Sequence, residues 1–440
     1  MRRKLVLLLT GVLTAVLAVV TWQFLFPAPT VLSEQADYGP SPQLVEPRRT
    51  LVPIVRPAKA VGWSAGELPT PADGLEVNVF VGGLDHPRWL YVLPNGDVLV
   101  AESNAPEGTG LCSDFKNFAA GIVLNYGGAR TPSADRISLH RDTNGDGSAN
   151  ESHVFAAGLH SPFGMALVDD YLYIANADAL VRFPYQDGQT TLTGSPEVVA
   201  SLPSGLNHHW TKNIIPSADN RSLFITVGSN SNVGECGPEA EEGRAAIHQM
   251  KLETGELELF AHGLRNPNGM AIEPSTNTLW TVVNERDELG SDLVPDYATS
   301  VNKGDFFGWP YVYFGDNPQP ALDSRWSSGH PLAKIPDYAL GAHTASLDIE
   351  FSYASTLPEK WRSGMFVSQH GSWNREPAAG YRVIYIPFEN GVPSGEPEEV
   401  VGGFLSPDGD ARGRPAGLAL DDGGALLIAD DVGNVVWRVR

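Results

Sequence analysis

The sequence predicts an all-β chain, a six-bladed β-propeller preceded by an N-terminal transmembrane or signal segment. Three observations carry that expectation. The 440 residues include 46 Gly and 34 Pro with 42% hydrophobic residues, a composition that supplies a large core and favours turn-rich β structure over long helices. From Gly74 onward, short β-rich runs bounded by Asn-Gly, Asp-Gly or Pro signals follow one another, with no convincing amphipathic helix between them. Six of these runs share one design, a turn leading into a pair of strands, and such repetition suits blades arranged around an axis with chemistry on the loops at one end.

Arg2, Arg3 and Lys4 precede an apolar run over residues 5–26 that is long enough to span a bilayer and would keep its basic end cytoplasmic. No small-x-small cleavage site is clear before Pro27, which favours a retained anchor over a signal peptide, and either one exports the rest of the chain. The Arg pair lacks the surroundings of a twin-arginine signal. Residues 27–73 carry Pro27, Pro29, Pro40, Pro42, Pro47, Pro53 and Pro57 with no apolar period, the composition of a semi-rigid extended tether. Residues 74–440 are the propeller.

Four copies centre on a proline: LDHPRWLYVLPNGDVLVAES from Leu84, LHSPFGMALVDDYLYIANAD from Leu159, LRNPNGMAIEPSTNTLWTVVNERD from Leu264 and GRPAGLALDDGGALLIADD from Gly413. Two looser copies lack it, NHHWTKNIIPSADNRSLFITVGSN from Asn207 and the segment from Leu347 through FVSQHGSWNR. In each, the first apolar run is expected to line the channel and its leading loop to open on one face. A β-sandwich pair or a solenoid are the alternatives, the latter disfavoured by uneven spacing.

At matching loop positions these copies supply Arg88, His209, Arg265 with Asn266, His370 and Arg414. The formal charge of −22 argues against a nucleic-acid partner, and against that acidic background converging cations suit a small polyanion. A histidine facing a channel is a candidate general base. The adjacent His208 and His209 could instead share a metal, although alternation along a strand would send them to opposite faces.

Carboxylates at Glu285, Asp287 and Glu288, followed by Asp292 and Asp296, suit either a hard cation such as calcium or a solvated loop. DTNGDGSANE, from Asp142, matches the first half of a calcium loop but has His153 where the bidentate Glu belongs, so a hairpin is the simpler account. The aromatic run FFGWPYVYF from Phe306 reads as core packing or as a wall beside a flat ligand. Cys112 and Cys236 either pair, as an exported chain permits, or are unrelated thiols. With no Cys-x-x-Cys-His, the chain cannot carry its own c-type haem.

Taken together, HGLRNPNGMA, NERDELGSDLVPD, FFGWPYVYFG, HGSWNR and GRPAGLAL resemble the PQQ-dependent sugar dehydrogenases, the soluble quinoprotein glucose dehydrogenase family and most closely its sorbosone and pyranose dehydrogenase-like branch. The resemblance covers residues 84–440. It implies PQQ in the channel mouth, a calcium ion on the quinone and a sugar stacked above. It further implies His209 as base, Arg265 and Asn266 on the quinone oxygens, and Asp287 and Glu288 at the metal loop. Arg414, with Arg88, His370 and Arg375, would complete the cofactor contacts. Departures from the glucose dehydrogenases are His208 in place of an acidic residue, His370 in place of a lysine, Ala416 in place of an arginine, and Asp287-Glu288 in place of Gly-Pro. Arg88 is the candidate to replace the lost arginine.

The expected function is therefore PQQ- and calcium-dependent oxidation of a sugar-type alcohol or aldehyde by an exported, periplasmic protein tethered through its N-terminal segment. Electrons would pass to an external cytochrome or quinone. The alternatives are a calcium-dependent lactonase-like hydrolase and a non-catalytic propeller that binds a glycan or protein.

Overall fold

Each of the six copies begins the inner strand of one antiparallel sheet in the computed structural model, which describes residues 21–22, 29–50, 54–320, 322, 324–326 and 329–440. Blade 1 runs outward through Pro87–Val92, Val98–Glu102, Arg136–Arg141 and Glu151–Ala157. Blade 2 is Met165–Val168, Tyr171–Ala175, Ala179–Pro184 and Glu197–Ser201. Blade 3 is Ile214–Pro216, Ser222–Val227, Ala246–Lys251 and Leu257–His262. Blade 4 begins with Pro267–Glu273, Thr278–Val283, Pro295–Val301 and Tyr338–Ala342, and blade 5 with Ser346–Phe351, Gly364–Gln369, Arg382–Glu389 and Glu398–Gly402. Blade 6 takes Pro415–Leu420, Leu426–Asp430 and Val435–Val439 from the end of the chain and Val77–Gly82 from near its start. That pairing closes the ring, and the inner strands touch one another in cyclic order.

The second strands VLVAE, SLFITV, GMFVSQ and LLIAD are buried throughout, because they are flanked within the sheet and covered on both faces by adjacent blades. The core is accordingly a set of clusters between blades. One joins Trp89, Leu99 and Phe155 of blade 1 to Met165, Leu172 and Ile174 of blade 2, and another joins blades 5 and 6 through Phe366, Tyr385, Leu418 and Trp437. The aromatic run from Phe306 packs into clusters beside blade 4, the core alternative of the two expected for it.

Two features depart from the sequence expectation. The first is that the described part of residues 29–73 is not a free tether but a strap laid over the propeller. Tyr38–Gly39 adds an edge strand to blade 4, and Thr70–Pro71 adds one to blade 5. Between them the Asp37 carboxylate pairs with Arg375 at 2.8 Å, both side chains buried, and Trp63 Nε1 donates to Asp430 Oδ2 at 2.7 Å. Proline content reports stiffness but not the surface a stiff segment lies on.

The second is a helix, Asp114–Tyr126, inserted between the second and third strands of blade 1. Its Ile122, Leu124 and Tyr126 are exposed. Cys112, just before it, is disulfide-bonded to Cys236 in the loop after the second strand of blade 3, a separation of 124 residues. Cys112→Ser is expected to lower stability by about 2–4 kcal/mol, as loss of a long closed loop should. A urea midpoint that falls in the variant, and falls equally when the parent is reduced, is the confirming result; an unchanged midpoint would show the bridge to be dispensable.

The expected anchor over residues 5–26 lies almost entirely outside the described residues. Among the described residues no helix is long and apolar enough to cross a membrane.

Candidate active site

Strand register assembles the site. Pro87 pairs with Glu102, Pro267 with Val283, Ser346 with Gln369 and Pro415 with Asp430. The residue before an inner strand therefore emerges beside the residue after the second strand, and each blade offers both at one channel mouth. The first set contributes His209, Arg265, Asn266 and Arg414, with Arg88 one step inside its strand. The second contributes Ser229, Asn284, His370 and Asp431, and of these only His370 stands out from the sequence. The polar residue ending each second run (ES, NAD, GSN, NER, QH, ADD) is the signal that marks the rest.

On one side stands His209. Its Nδ1–H donates to the Ser229 carbonyl at 2.7 Å, which fixes the tautomer and leaves Nε2 with a free lone pair. Burial, with positive charge at His208 and Arg265, holds its pKa well below 6.5, so the ring is neutral at pH 7. Ser229 N–H in turn donates to the Arg265 carbonyl at 2.8 Å. Gly228 permits the close approach of the neighbours: a Cβ there would lie 2.2 Å from Asn266 Oδ1 and 2.6 Å from His209 Cβ. Asn266 Oδ1 is buried with no hydrogen-bond partner among the described residues.

The expectation that His208 and His209 face opposite ways is corrected, since their ring centroids lie 4.5 Å apart. The chain here is a turn with Asn207 at φ 50°, so strand alternation does not apply. Among the described residues no three His, Cys, Asp or Glu side chains converge as a metal cluster.

Arg265 is almost fully buried and spends four of its five N–H groups on its own surroundings. Nε donates to Asn232 O at 3.2 Å, Nη1 to Asn284 O and Glu285 O at 3.2 and 2.7 Å, and Nη2 to Asp287 Oδ2 at 3.2 Å. Asp287 Oδ1 accepts from Asn374 Nδ2 at 2.7 Å and lies 3.5 Å from His343 Nδ1. His343 and Arg265 hold the Asp287 carboxyl down at about 2 despite its burial. Each Asp287 carboxylate oxygen thus already has a hydrogen-bond donor. Glu288, with φ 71°, lines a small cleft of about 20 Å³, where Arg48, Thr50 and Ile54 of the strap stand opposite Trp373 and Asn374.

Across the mouth, Asp431 organises the remaining cations. Its Oδ2 pairs with Arg88 Nη1 and accepts from His370 Nε2 at 2.7 Å. Burial pushes the His370 pKa down to about 4 although Asp431 opposes it, so His370 is a neutral donor and does not replace a lysine's charge. Arg88 pairs with Asp431 and Arg375 with Asp37, while Arg88 Nε is buried with no partner among the described residues. Arg414 differs. Its Nη1 meets the carbonyls of His370 and Gly371 at 3.3 and 3.1 Å, its guanidinium lies 4.8 Å over the Tyr381 ring, and its Nε has no partner.

The hairpin at Asp142 folds as a turn whose carboxylate accepts from the N–H groups of Asn144, Gly145 and Gly147.

Six blades around a mouth furnished with a neutral histidine, an unpartnered asparagine oxygen and buried arginines place the chain in the class of PQQ-type sugar dehydrogenase propellers that its motifs resemble. Within that class the chain belongs to the TrAA12-like family, whose model matches residues 134–304 and 313–440. Among curated proteins it is 24% identical over 364 residues to the pyrroloquinoline quinone-dependent pyranose dehydrogenase of Coprinopsis cinerea, covering 72% of this chain and only 44% of that protein. It is 29% identical over 299 residues to an uncharacterized protein of Borreliella burgdorferi, covering 65% of this chain and 77% of the other. The solved PQQ domain of the Coprinopsis enzyme superposes with TM-score 0.65 at 19% identity, over 86% of this chain and 98% of that one. A calcium structure of the Trichoderma reesei family AA12 protein gives 0.66 at 17% identity, over 89% and 99%.

Proposed function

We propose that this chain is an oxidoreductase that uses PQQ to oxidise a sugar-type alcohol, hemiacetal or aldehyde carbon, with His209 as the base. The carrying observation is the tautomer of His209: Nδ1–H is tied to the Ser229 carbonyl and the ring is neutral, so Nε2 is ready to take a proton. The residues present suit PQQ in part. The unpartnered Asn266 Oδ1 and Arg414 Nε are buried polar atoms of the kind a polar ligand satisfies. Among the described residues the Arg414 guanidinium meets carbonyls rather than a carboxylate, so its charge is available to an anionic ring substituent.

When bound, PQQ supplies the carbonyl carbon that accepts a hydride. His209 Nε2 accepts the substrate hydroxyl proton, while burial of the mouth keeps competing water away. Arg265, paired with Asp287, fixes the turn behind Asn266 through its bonds to the Asn284 and Glu285 carbonyls. No step is assigned to calcium, because the groups around Asp287 do not suit it.

A sugar is supported by the names of the relatives, and the partly exposed Trp373 ring stands near Arg48 and Glu288 under the strap. Aromatic faces and charged hydrogen-bonding groups together suit polyhydroxylated ligands. Export fits the Cys112–Cys236 disulfide, a bond that persists in oxidising compartments, and electrons would leave to an external acceptor.

The test is a titration of the protein with PQQ followed by absorbance, then a panel of aldoses with an artificial electron acceptor. Quinone binding with acceptor reduction is expected. Absence of both removes the dehydrogenase and leaves the hydrolase or the binding module.

The pH profile offers a second check. The active form of His209 is neutral, so rate is lost only as pH falls through its folded pKa, and the acid limb of kcat/KM should lie below 6.5. His208→Asn removes one of the charges that depress it while leaving the larger burial effect, so the limb should move upward without passing 6.5. A limb that stays put, or moves down, would contradict this account.

A further inference from the structure

The turn after the second strand of blade 4, residues 284–288, is where the sequence placed a hard cation. Five of its oxygens already accept hydrogen bonds. The Asp287 carbonyl accepts from Arg286 Nε and Nη2 at 2.9 and 2.8 Å, and Asn232 Nδ2 approaches it at 3.3 Å. A carbonyl has two lone pairs, and the Arg286 fork alone fills them. The Asn284 and Glu285 carbonyls accept from Arg265 Nη1, and both Asp287 carboxylate oxygens have donors, Asn374 on one and Arg265 on the other. Arg286 is only 1% exposed and its Nη1 is held by Gln319 Oε1 at 2.8 Å, so the guanidinium is locked in place.

Calcium needs six to eight oxygen ligands at about 2.3–2.6 Å. An ion that close to these oxygens would have to displace the charge-assisted N–H donors of two buried guanidinium groups and leave those donors unpaired.

We propose that the turn takes no divalent ion: the buried guanidinium pair of Arg265 and Arg286 holds its carbonyl oxygens. The proposal stands on the donor set alone.

The test uses the full chain carrying Asp142→Ser, which removes the hairpin carboxylate as a competing calcium site. Chelator-stripped protein is titrated with calcium chloride by calorimetry, and its melting midpoint is recorded with and without calcium. Binding weaker than about 1 mM and an unmoved midpoint are expected. One calcium per chain bound tighter than that, and lost on adding Asp287→Asn, overturns the proposal. Arg286→Gln frees the Asp287 carbonyl. That variant should gain saturable calcium binding, with the midpoint raised by about 4 °C or more at a hundredfold excess of ion. A folded Arg286→Gln that gains nothing shows that the guanidinium is not what keeps calcium out, and if it does not fold the titration of the Arg286 protein still decides. Absorbance titration with PQQ in chelator is expected to match that with calcium, and quinone binding that needs calcium overturns the proposal. If PQQ binds in neither, the proposed function fails while the calcium titration stands.

Discussion

His209→Ala should bind PQQ as the parent does and lose about 10²–10⁴ in kcat, the range associated with a positioned general base. The ring's hydrogen bonds run from Nδ1 to the Ser229 carbonyl and hydroxyl oxygens, and its other nitrogen is unprotonated, so truncation removes the proton acceptor without removing a cation from the mouth. Asn266 and Arg414 stay where they are. Absorbance titration should therefore be unchanged while acceptor reduction collapses, and added imidazole should restore part of the rate if the lost function is basic. Retained turnover would take His209 out of the role. Loss of quinone affinity without imidazole rescue would make it a packing residue.

Asp37→Ala should lower stability by about 3–5 kcal/mol, the usual cost of leaving one partner of a buried ion pair alone. Asp37 is 1% exposed; it pairs with Arg375 at 2.8 Å and accepts from the Ala342 N–H at 2.8 Å. Removing it strands a buried guanidinium that retains only the Ala342 carbonyl, at 2.7 Å. The urea midpoint should fall, and limited proteolysis should cut within the strap near residues 29–50. Asp37→Leu with Arg375→Met, which removes both charges, should recover most of the loss. Equal losses in the single and double variants would mean that the pair contributes through shape rather than charge.

The six inner strands were legible because each is encoded locally, by a turn signal followed by an apolar run. His209 and the Arg265-Asn266 pair were legible for the same reason, as loop residues at equivalent places in the copies. What failed did so for identifiable causes. Alternation was applied to His208 and His209, but their backbone is a turn. The arginines were counted as free cations, yet Arg88 and Arg375 meet Asp431 and Asp37, each more than 300 residues away along the chain. Arg286 was not singled out, because a cation among carboxylates looks like a solvated loop until its burial is known.

By itself, then, the sequence determined the blade count, the strand pairs and the family resemblance, since periodicity and turn chemistry act over a few residues. Tertiary structure alone decided which charges are neutralised, that residues 29–73 form a strap, that Cys112 meets Cys236, and that guanidinium groups occupy the turn expected to hold calcium. Closing the ring brings the start of the chain against its end and one blade's loops against another's. The electrostatic state of a buried side chain is set by those neighbours rather than by the residues beside it in sequence.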